Sequence, residues 1–496
     1  MRCQAVSRVS RAVRLFAVWL LLGTPAFAGQ TDLTAKIGNL VAGAKPGTLR
    51  LGIHVVDLRS GKTIYEHNAD EALKPASNMK LVTMGAALDM LPAGFKYRTM
   101  LAMRGNDLVV LGTGDPSVGD PQLARTRGEP ITAIFHRWAA GLRERGIQEI
   151  EGDLIIDDTV FEARRLHPNW PPKEHQTWYS APVGGLNFND NCIDVTLRPA
   201  GKGAEPTITV VPANTYVTIR NETRPGDKLA LGIRRVGDDP VYVVYGNSGN
   251  GGTLKSVAVP DPGLFFAAVC RTSLAAKGIR IRGQIRRERI RDDRGNLPPT
   301  CTVLAVYERD LNDILPRIGK DSQNLFAECL LKTLAFQMSA RDTGVGVGSY
   351  EVARKYIRTF LEKAQAPLTP DLCFDDGSGF SHKNRLTARL LTHVLQYMAR
   401  HPRGSEFVGS LAVSGQDGTL EKRLTDIKGM IRAKTGYITG VHALSGYARS
   451  QSGRLYCFSI LCNSPGGSSP ARRLQDDICR ALVKCQPAET KTAGNH

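Results

Sequence analysis

The same pair of elements opens and closes this chain. Residues 51–58 and 63–67 are short apolar-alternating runs joined by Arg59-Ser60-Gly61-Lys62, a hairpin signal. From Lys80 the apolar positions Leu81, Met84, Leu88 and Leu91 recur at helical spacing until Pro92 and Gly94 end the run. Far downstream, 442–450 and 455–463 form a second strand pair around Gln451-Ser452-Gly453, and a helix follows from Ala471 to about Lys484. Two hairpins, each with a helix, bury their apolar faces by sharing one sheet. The chain between them then reads as an insertion into a single domain.

That middle region changes character. Between 97 and 302 the strands are short, Gly and Pro are frequent, and two helices stand out, at 131–145 and 264–277. Each ends in Gly-Ile and runs into a short strand closed by Gly, at 146–152 and again at 278–283, with the first Gly placed as a helix C-cap. The echo suggests two related β-rich units. Helical patterns return at 325–337, 350–364 and 388–400. The expected organisation is therefore a discontinuous domain over 29–96 and 303–496, interrupted by a β-rich region over 97–302.

The only long apolar run, 15–23, follows Arg2, Arg8, Arg11 and Arg14 and precedes the small-residue site Pro25-Ala26-Phe27-Ala28. It reads as a secretory signal peptide over 1–28 and is too short to span a membrane; no later run replaces it. The net charge of +18 is high, but export argues against nucleic acid as partner and favours anionic envelope polymers or membrane surfaces. The densest basic stretch, Arg280-Ile281-Arg282 through Arg291, interleaves Arg with Ile at strand spacing. It is expected to be a solvated face, with a polymer-binding surface as the alternative. Of the ten cysteines, Cys3 leaves with the leader. The rest form no CxxC pair or Cys/His ligand cluster, and no metal or cofactor is implied.

Elimination narrows the chemistry. GxSxG and HExxH are both absent, and Gly344-Val345-Gly346-Val347-Gly348 has neither dinucleotide nor Walker spacing. What remains is Ser77-Asn78-Met79-Lys80. At a helix start, residues i and i+3 share a face, which sets a Ser hydroxyl beside a Lys amine. The helix dipole and burial both disfavour the ammonium, and so move that lysine toward a usable base. Ser322-Gln323-Asn324 stands before a helical run, and Lys434-Thr435-Gly436 lies in a strand-like stretch. Alone, these two read as a helix cap and an exposed strand lysine. In this order the three form the SxxK, SxN and KTG set of penicillin-interacting serine enzymes.

Around these motifs, Pro75-Ala76-Ser77-Asn78-Met79-Lys80-Leu81, Ser322 through Glu328, Asp376-Gly377-Ser378-Gly379, Gly415 through Leu420, and Lys434-Thr435-Gly436 with Leu444-Ser445-Gly446-Tyr447 resemble one family. It is the class C low-molecular-mass penicillin-binding proteins, the D-alanyl-D-alanine carboxypeptidase/endopeptidase family. Gly112-Thr113-Gly114-Asp115-Pro116, Gly152-Asp153-Leu154, Tyr179-Ser180-Ala181-Pro182 and Asn187-Phe188-Asn189 resemble it as well. The resemblance implies an α+β fold: a β-lactamase/transpeptidase-like catalytic domain, its antiparallel sheet flanked by helices, with a large two-domain insertion between the first two motifs.

It also implies roles. Ser77 would be the acylated nucleophile and Lys80 its base, with Ser322 and Lys434 passing the proton to the departing amine. Asn324 would hold the acyl-side peptide and Thr435 the terminal carboxylate. Gly436 would leave room for an extended substrate along the strand, and the backbone N–H groups of Ser77 and Tyr437 would hold the oxyanion. The family usually has Thr or Ser where this chain has Tyr437. Asp376 is expected either to touch substrate or to shape a turn. The implied substrates are peptidoglycan stem peptides, cleaved at D-Ala-D-Ala termini or at D-Ala to diamino-acid cross-links, with β-lactams as covalent inhibitors and the periplasm as compartment. Two other readings stay open here: a non-catalytic envelope protein that binds peptidoglycan, and a secreted β-lactamase.

Overall fold

The computed structural model describes residues 29–44, 49–198, 206–226, 230–249, 251–464 and 469–485. The leader expected at 1–28 and the tail at 486–496 lie outside them. Contacts divide the chain into two units. One takes Met1–Met90, Leu315–Gln323 and Ile357–His496, and the other takes Leu91–Ile314 and Asn324–Tyr356.

The first unit is built on an antiparallel sheet. Its strands are β1 (Arg50–Asp57), β2 (Thr63–His67), β3 (Ala412–Val413), β4 (Ile431–Ile438), β5 (Val441–Arg449) and β6 (Leu455–Asn463), in the order β3-β4-β5-β6-β1-β2. The N-terminal hairpin joins the C-terminal one through β1, which pairs with β6 from Arg50↔Asn463 to Asp57↔Tyr456. Period-two alternation then sorts the side chains. Ile53 and Val55 of β1, Leu444 of β5 and Ile460 of β6 are buried together with Leu33 and Ile37 of helix α1 (Gly29–Gly43) and with Leu474, Ile478 and Leu482 from the C-terminal helix. Two more helices belong to this unit: α2 (Met79–Met90), buried from Met79 to Leu88, and α3 (Ala388–Arg400), which packs on β1, β6 and α2. The C-terminal helix, α4, spans Ser469–Val483.

The second unit has a five-stranded sheet whose strand Leu154–Asp157 is wholly buried, as an interior strand covered on both faces should be. Two of its helices, Ala133–Glu144 and Pro262–Ala275, end as the Gly-Ile echo requires. Gly146 and Gly278 take φ of 74° and 83°. Ile147 N–H then reaches back to the Leu142 carbonyl at 2.9 Å, and Ile279 N–H to the Leu274 carbonyl at 3.0 Å. The strands that follow pair with each other in parallel, Glu149 with Arg280 and Leu154 with Ile285. The sequence echo is therefore also a pairing.

The arginine row at 280–291 is the solvated face expected, with Arg280, Arg282, Arg286, Arg287 and Arg289 exposed, but it is not an open basic strip. Arg282 pairs with Glu149 at 2.6 Å, Arg286 with Asp153, and Arg287 with Asp158 at 2.9 Å and Asp261 at 2.6 Å. Arg291 is buried beside Asp157. Neighbouring strands, turns and a helix cap bring a carboxylate to nearly every guanidinium, so the row is largely neutralised within its own unit. All nine described cysteines are free thiols.

Candidate active site

Ser77 sits in a single turn of 3₁₀ helix, Ala76–Asn78, that feeds directly into α2. Its hydroxyl is partly exposed, whereas Lys80, one turn on, is fully buried. Lys80 Nζ lies 2.9 Å from Ser77 Oγ and donates to the Ser378 carbonyl at 2.8 Å. The second contact fixes the amine from behind, so the spacing of the motif is converted into a defined Ser–Lys hydrogen bond.

The loop carrying Ser378 clamps this turn. Ala76 takes a left-handed φ of 45°, rare for a residue with a Cβ, and its carbonyl points at Gly379. Gly379 itself has φ of 81°, and a Cβ there would lie 1.8 Å from the Ala76 oxygen. Thr83 Oγ1 ties α2 to the Gly377 carbonyl at 2.8 Å. Asp376 is 1% exposed, and its carboxylate accepts from Gly379 N–H, Ser381 N–H and Asn384 Nδ2 at 2.8, 2.6 and 2.8 Å. Bonded within its own loop, it shapes the clamp behind Lys80. Gly379→Ala should cost on the order of 3 kcal/mol in urea unfolding, because the new methyl meets a rigid carbonyl in a backbone region L-residues avoid. An unchanged urea midpoint would contradict this packing.

A second Lys–Ser pair faces the first motif from another part of the same unit. Lys434, on β4, is fully buried and donates to Ser322 Oγ at 2.9 Å and to the Thr435 carbonyl at 2.8 Å. Ser322 takes a φ of 64°, a conformation held by the segment around it: Gln323 N–H bonds the Arg317 carbonyl at 2.9 Å and Arg317 pairs with Asp321 at 2.9 Å. Strain of this kind is stored where surrounding structure over-determines it. Burial pushes the Lys434 amine well below the usual lysine range, the Lys80 charge pushes it further, and Asp321 partly opposes both.

Gly436 has a reason beyond room for substrate. A Cβ there would stand 3.0 Å from the Pro75 carbonyl and 3.1 Å from Asn78 Nδ2, so its small size lets β4 lie against the Ser77 turn. Asn78 Nδ2 completes the junction with a 2.9 Å bond to the Lys434 carbonyl. Sequence reasoning missed Asn78, although it lies inside the first motif. On its outer edge β4 pairs with β3 only at Arg432 and Ala433. From Lys434 onward no described strand covers that edge. Thr435 Oγ1 bonds Thr419 Oγ1 at 2.8 Å, and Tyr437 projects outward. Ser77, Lys80, Ser322, Lys434, Thr435, Gly436 and Tyr437 thus all belong to the first unit. Asn324 opens the helix Asn324–Thr343 of the second unit, where its Nδ2 donates to the Tyr179 carbonyl at 2.7 Å.

Among the described residues no group of three or more His, Cys, Asp or Glu side chains is arranged to hold a metal ion, and no helix is long and apolar enough to cross a membrane. What the site does offer is a hydroxyl poised on an amine, a second hydroxyl–amine pair, and an open strand edge.

Comparison with known proteins places the chain as a whole. The model of the D-Ala-D-Ala carboxypeptidase 3 (S13) family matches residues 33–484. A D-alanyl-D-alanine carboxypeptidase of Actinomadura sp. (strain R39) is 29% identical over 95% of this chain and 89% of its own. The D-alanyl-D-alanine carboxypeptidase DacB of Haemophilus influenzae is 25% identical over 92% of this chain and 93% of its own. The crystal structure of penicillin binding protein 4 (dacB) from Haemophilus influenzae shares the fold, with a TM-score of 0.73 at 22% identity, covering 92% of this chain and all of that one.

Proposed function

The chain belongs to the D-Ala-D-Ala carboxypeptidase 3 (S13) family of serine peptidases, and from that premise we propose that Ser77 and Lys80 carry out acyl transfer on the D-Ala-D-Ala ends of peptidoglycan stem peptides. The observation that carries this assignment is the 2.9 Å bond between the buried Lys80 amine and Ser77 Oγ.

Ser77 Oγ attacks the carbonyl between the two D-residues while its proton passes to Lys80. The N–H groups of Ser77 and Tyr437 hold the oxyanion, where losing one donor costs about 10²- to 10³-fold in related chemistry. Collapse breaks the C–N bond, and the leaving amine takes a proton relayed through the Lys434–Ser322 pair, whose 2.9 Å contact supports a short path. Water then attacks the ester, with the same base removing its proton. Thr435 binds the terminal carboxylate, and the acyl-side peptide adds to the open edge of β4 as an extra strand. A β-lactam acylates Ser77 by the same first step.

The reading extends to D-Ala to diamino-acid cross-links, since the same edge has no described strand beyond Lys434 to limit the leaving residue. It extends also to the periplasm, supported by the basic and apolar run at 2–23 and the small-residue site at 25–28. Defined muropeptides test it: the protein is expected to release D-Ala from a pentapeptide and to split a cross-linked dimer, both blocked by penicillin. A folded protein that cleaves neither and takes up no penicillin would overturn it.

A further inference from the structure

Tyr437 is 66% exposed, more than any other large apolar side chain among the described residues. A phenol ring in water on a strand edge gains nothing from burial, so its position calls for another reason. It does not stand alone. Directly across the β4–β5 hairpin it is paired in register with His442, and the two rings meet with centroids 5.0 Å apart and planes inclined by 50°. His442 is half-buried and its Nε2 has no hydrogen-bond partner. The imidazole is therefore not fixed through that nitrogen. Burial, with Arg423 and Arg472 nearby, lowers its pKa and keeps it neutral at working pH. A neutral ring supports the tyrosine from below, and the outer face of Tyr437 is left to solvent.

Position gives that face a use. Side chains two apart on a strand share a side, about 7 Å apart, so Tyr437 stands beside Thr435. In the reading proposed above, the Tyr437 N–H holds the scissile carbonyl and Thr435 the terminal carboxylate. The leaving residue lies between these two contacts, alongside the Tyr437 ring. A serine or threonine here would offer a hydroxyl close to the backbone, within reach of that carboxylate. Tyrosine removes that donor and supplies a flat apolar wall.

We infer that the Tyr437 ring, backed by His442, is a specificity-determining surface for the leaving residue, favouring one with a long aliphatic side chain, as in a diamino-acid cross-link, over D-alanine. A D-alanine offers the ring one methyl group. A diamino acid offers several methylenes, each contributing through partial burial against the ring. The inference rests on the proposed acyl-transfer reading but concerns only the choice of leaving group.

The test compares kcat/KM for a cross-linked muropeptide dimer with that for a pentapeptide ending in D-Ala-D-Ala. It uses the wild-type protein, Tyr437→Thr, Tyr437→Phe and His442→Ala, with penicillin uptake confirming a folded site in each. Tyr437→Thr should lower the dimer-to-pentapeptide ratio about 5- to 10-fold, mainly through KM for the dimer. Tyr437→Phe, which keeps the ring and loses only the hydroxyl, should retain the wild-type ratio, and His442→Ala should fall between. If the wild type cleaves both substrates and Tyr437→Thr leaves the ratio unchanged, the assignment is overturned and acyl transfer stands. If the wild type cleaves neither substrate and takes up no penicillin, both fall together.

Discussion

Ser77→Ala should take up no penicillin and lose at least about 10⁴-fold in muropeptide hydrolysis, the scale seen when a serine nucleophile is removed from an acyl-transfer site. The fold should tolerate the change. Ser77 Oγ is partly exposed, and Lys80 keeps its 2.8 Å bond to the Ser378 carbonyl when the hydroxyl is gone. Unfolding free energy is therefore expected within about 1 kcal/mol of wild type. The mechanistic content lies in the combination with Lys80→Met. Because both tasks of the lysine, taking the serine's proton and activating water on the acyl-serine, require Ser77, removing both should cost no more than removing Ser77 alone. Intact mass after incubation with a labelled penicillin reads the first claim, and single-turnover rates read the second. An adduct on Ser77→Ala would move the nucleophile elsewhere, and an additive double variant would give Lys80 a separate task.

How far these features could be read from sequence depends on the distance over which their causes act. The Ser77–Lys80 bond follows from helix periodicity over one turn, so the motif fixes it. The shared sheet was legible because hairpins at the two ends carry matching alternation, which β1 and β6 turn into one ladder. The helix from Asn324 was legible as a helix but not as part of the second unit: periodicity shows that a face is buried, and here Asn324 to Ala335 is buried all round. The strand Lys96–Arg104 likewise pairs along its length with Cys301–Asp310, a partnership that local patterns do not reveal. The arginines at 280–291 read as a solvated face with no partners in view, because their carboxylates, Glu149, Asp153, Asp158 and Asp261, lie elsewhere in the sequence. Asp376 showed the same limit: an acid among glycines suits a cleft or a turn equally, until its partners Ser381 and Asn384 are seen. The left-handed backbones of Ala76 and Ser322 had no sequence signal, since only glycine and asparagine advertise such angles.

Lys434→Met should abolish most activity while making the protein more stable near neutral pH. On the activity side, the variant removes the proton relay to the leaving amine and the cation that repels a proton from Lys80. Loss of a positioned acid–base group costs about 10²- to 10⁴-fold. Stability moves the other way because the folded chain holds this amine in a costly place, fully buried and beside another lysine. Its folded pKa lies below the unfolded value of about 10.4. Between those two values the unfolded chain binds more protons than the folded one, so wild-type stability rises as pH rises through the window and falls as pH drops toward the folded pKa. Methionine carries no proton in either state and removes that slope. It does leave Ser322 Oγ without its 2.9 Å donor, a loss of about 1 kcal/mol. Replacing a buried charge by a side chain of similar volume returns on the order of 1–4 kcal/mol, which outweighs the lost bond. Thermal unfolding of both proteins from pH 6 to pH 10 should therefore show the variant more stable at the acid end, with the gap closing toward alkaline pH. A variant less stable than wild type throughout would mean that the Ser322 and Thr435 contacts outweigh the cost of burying the charge, and that the site is built for stability as well as for proton transfer.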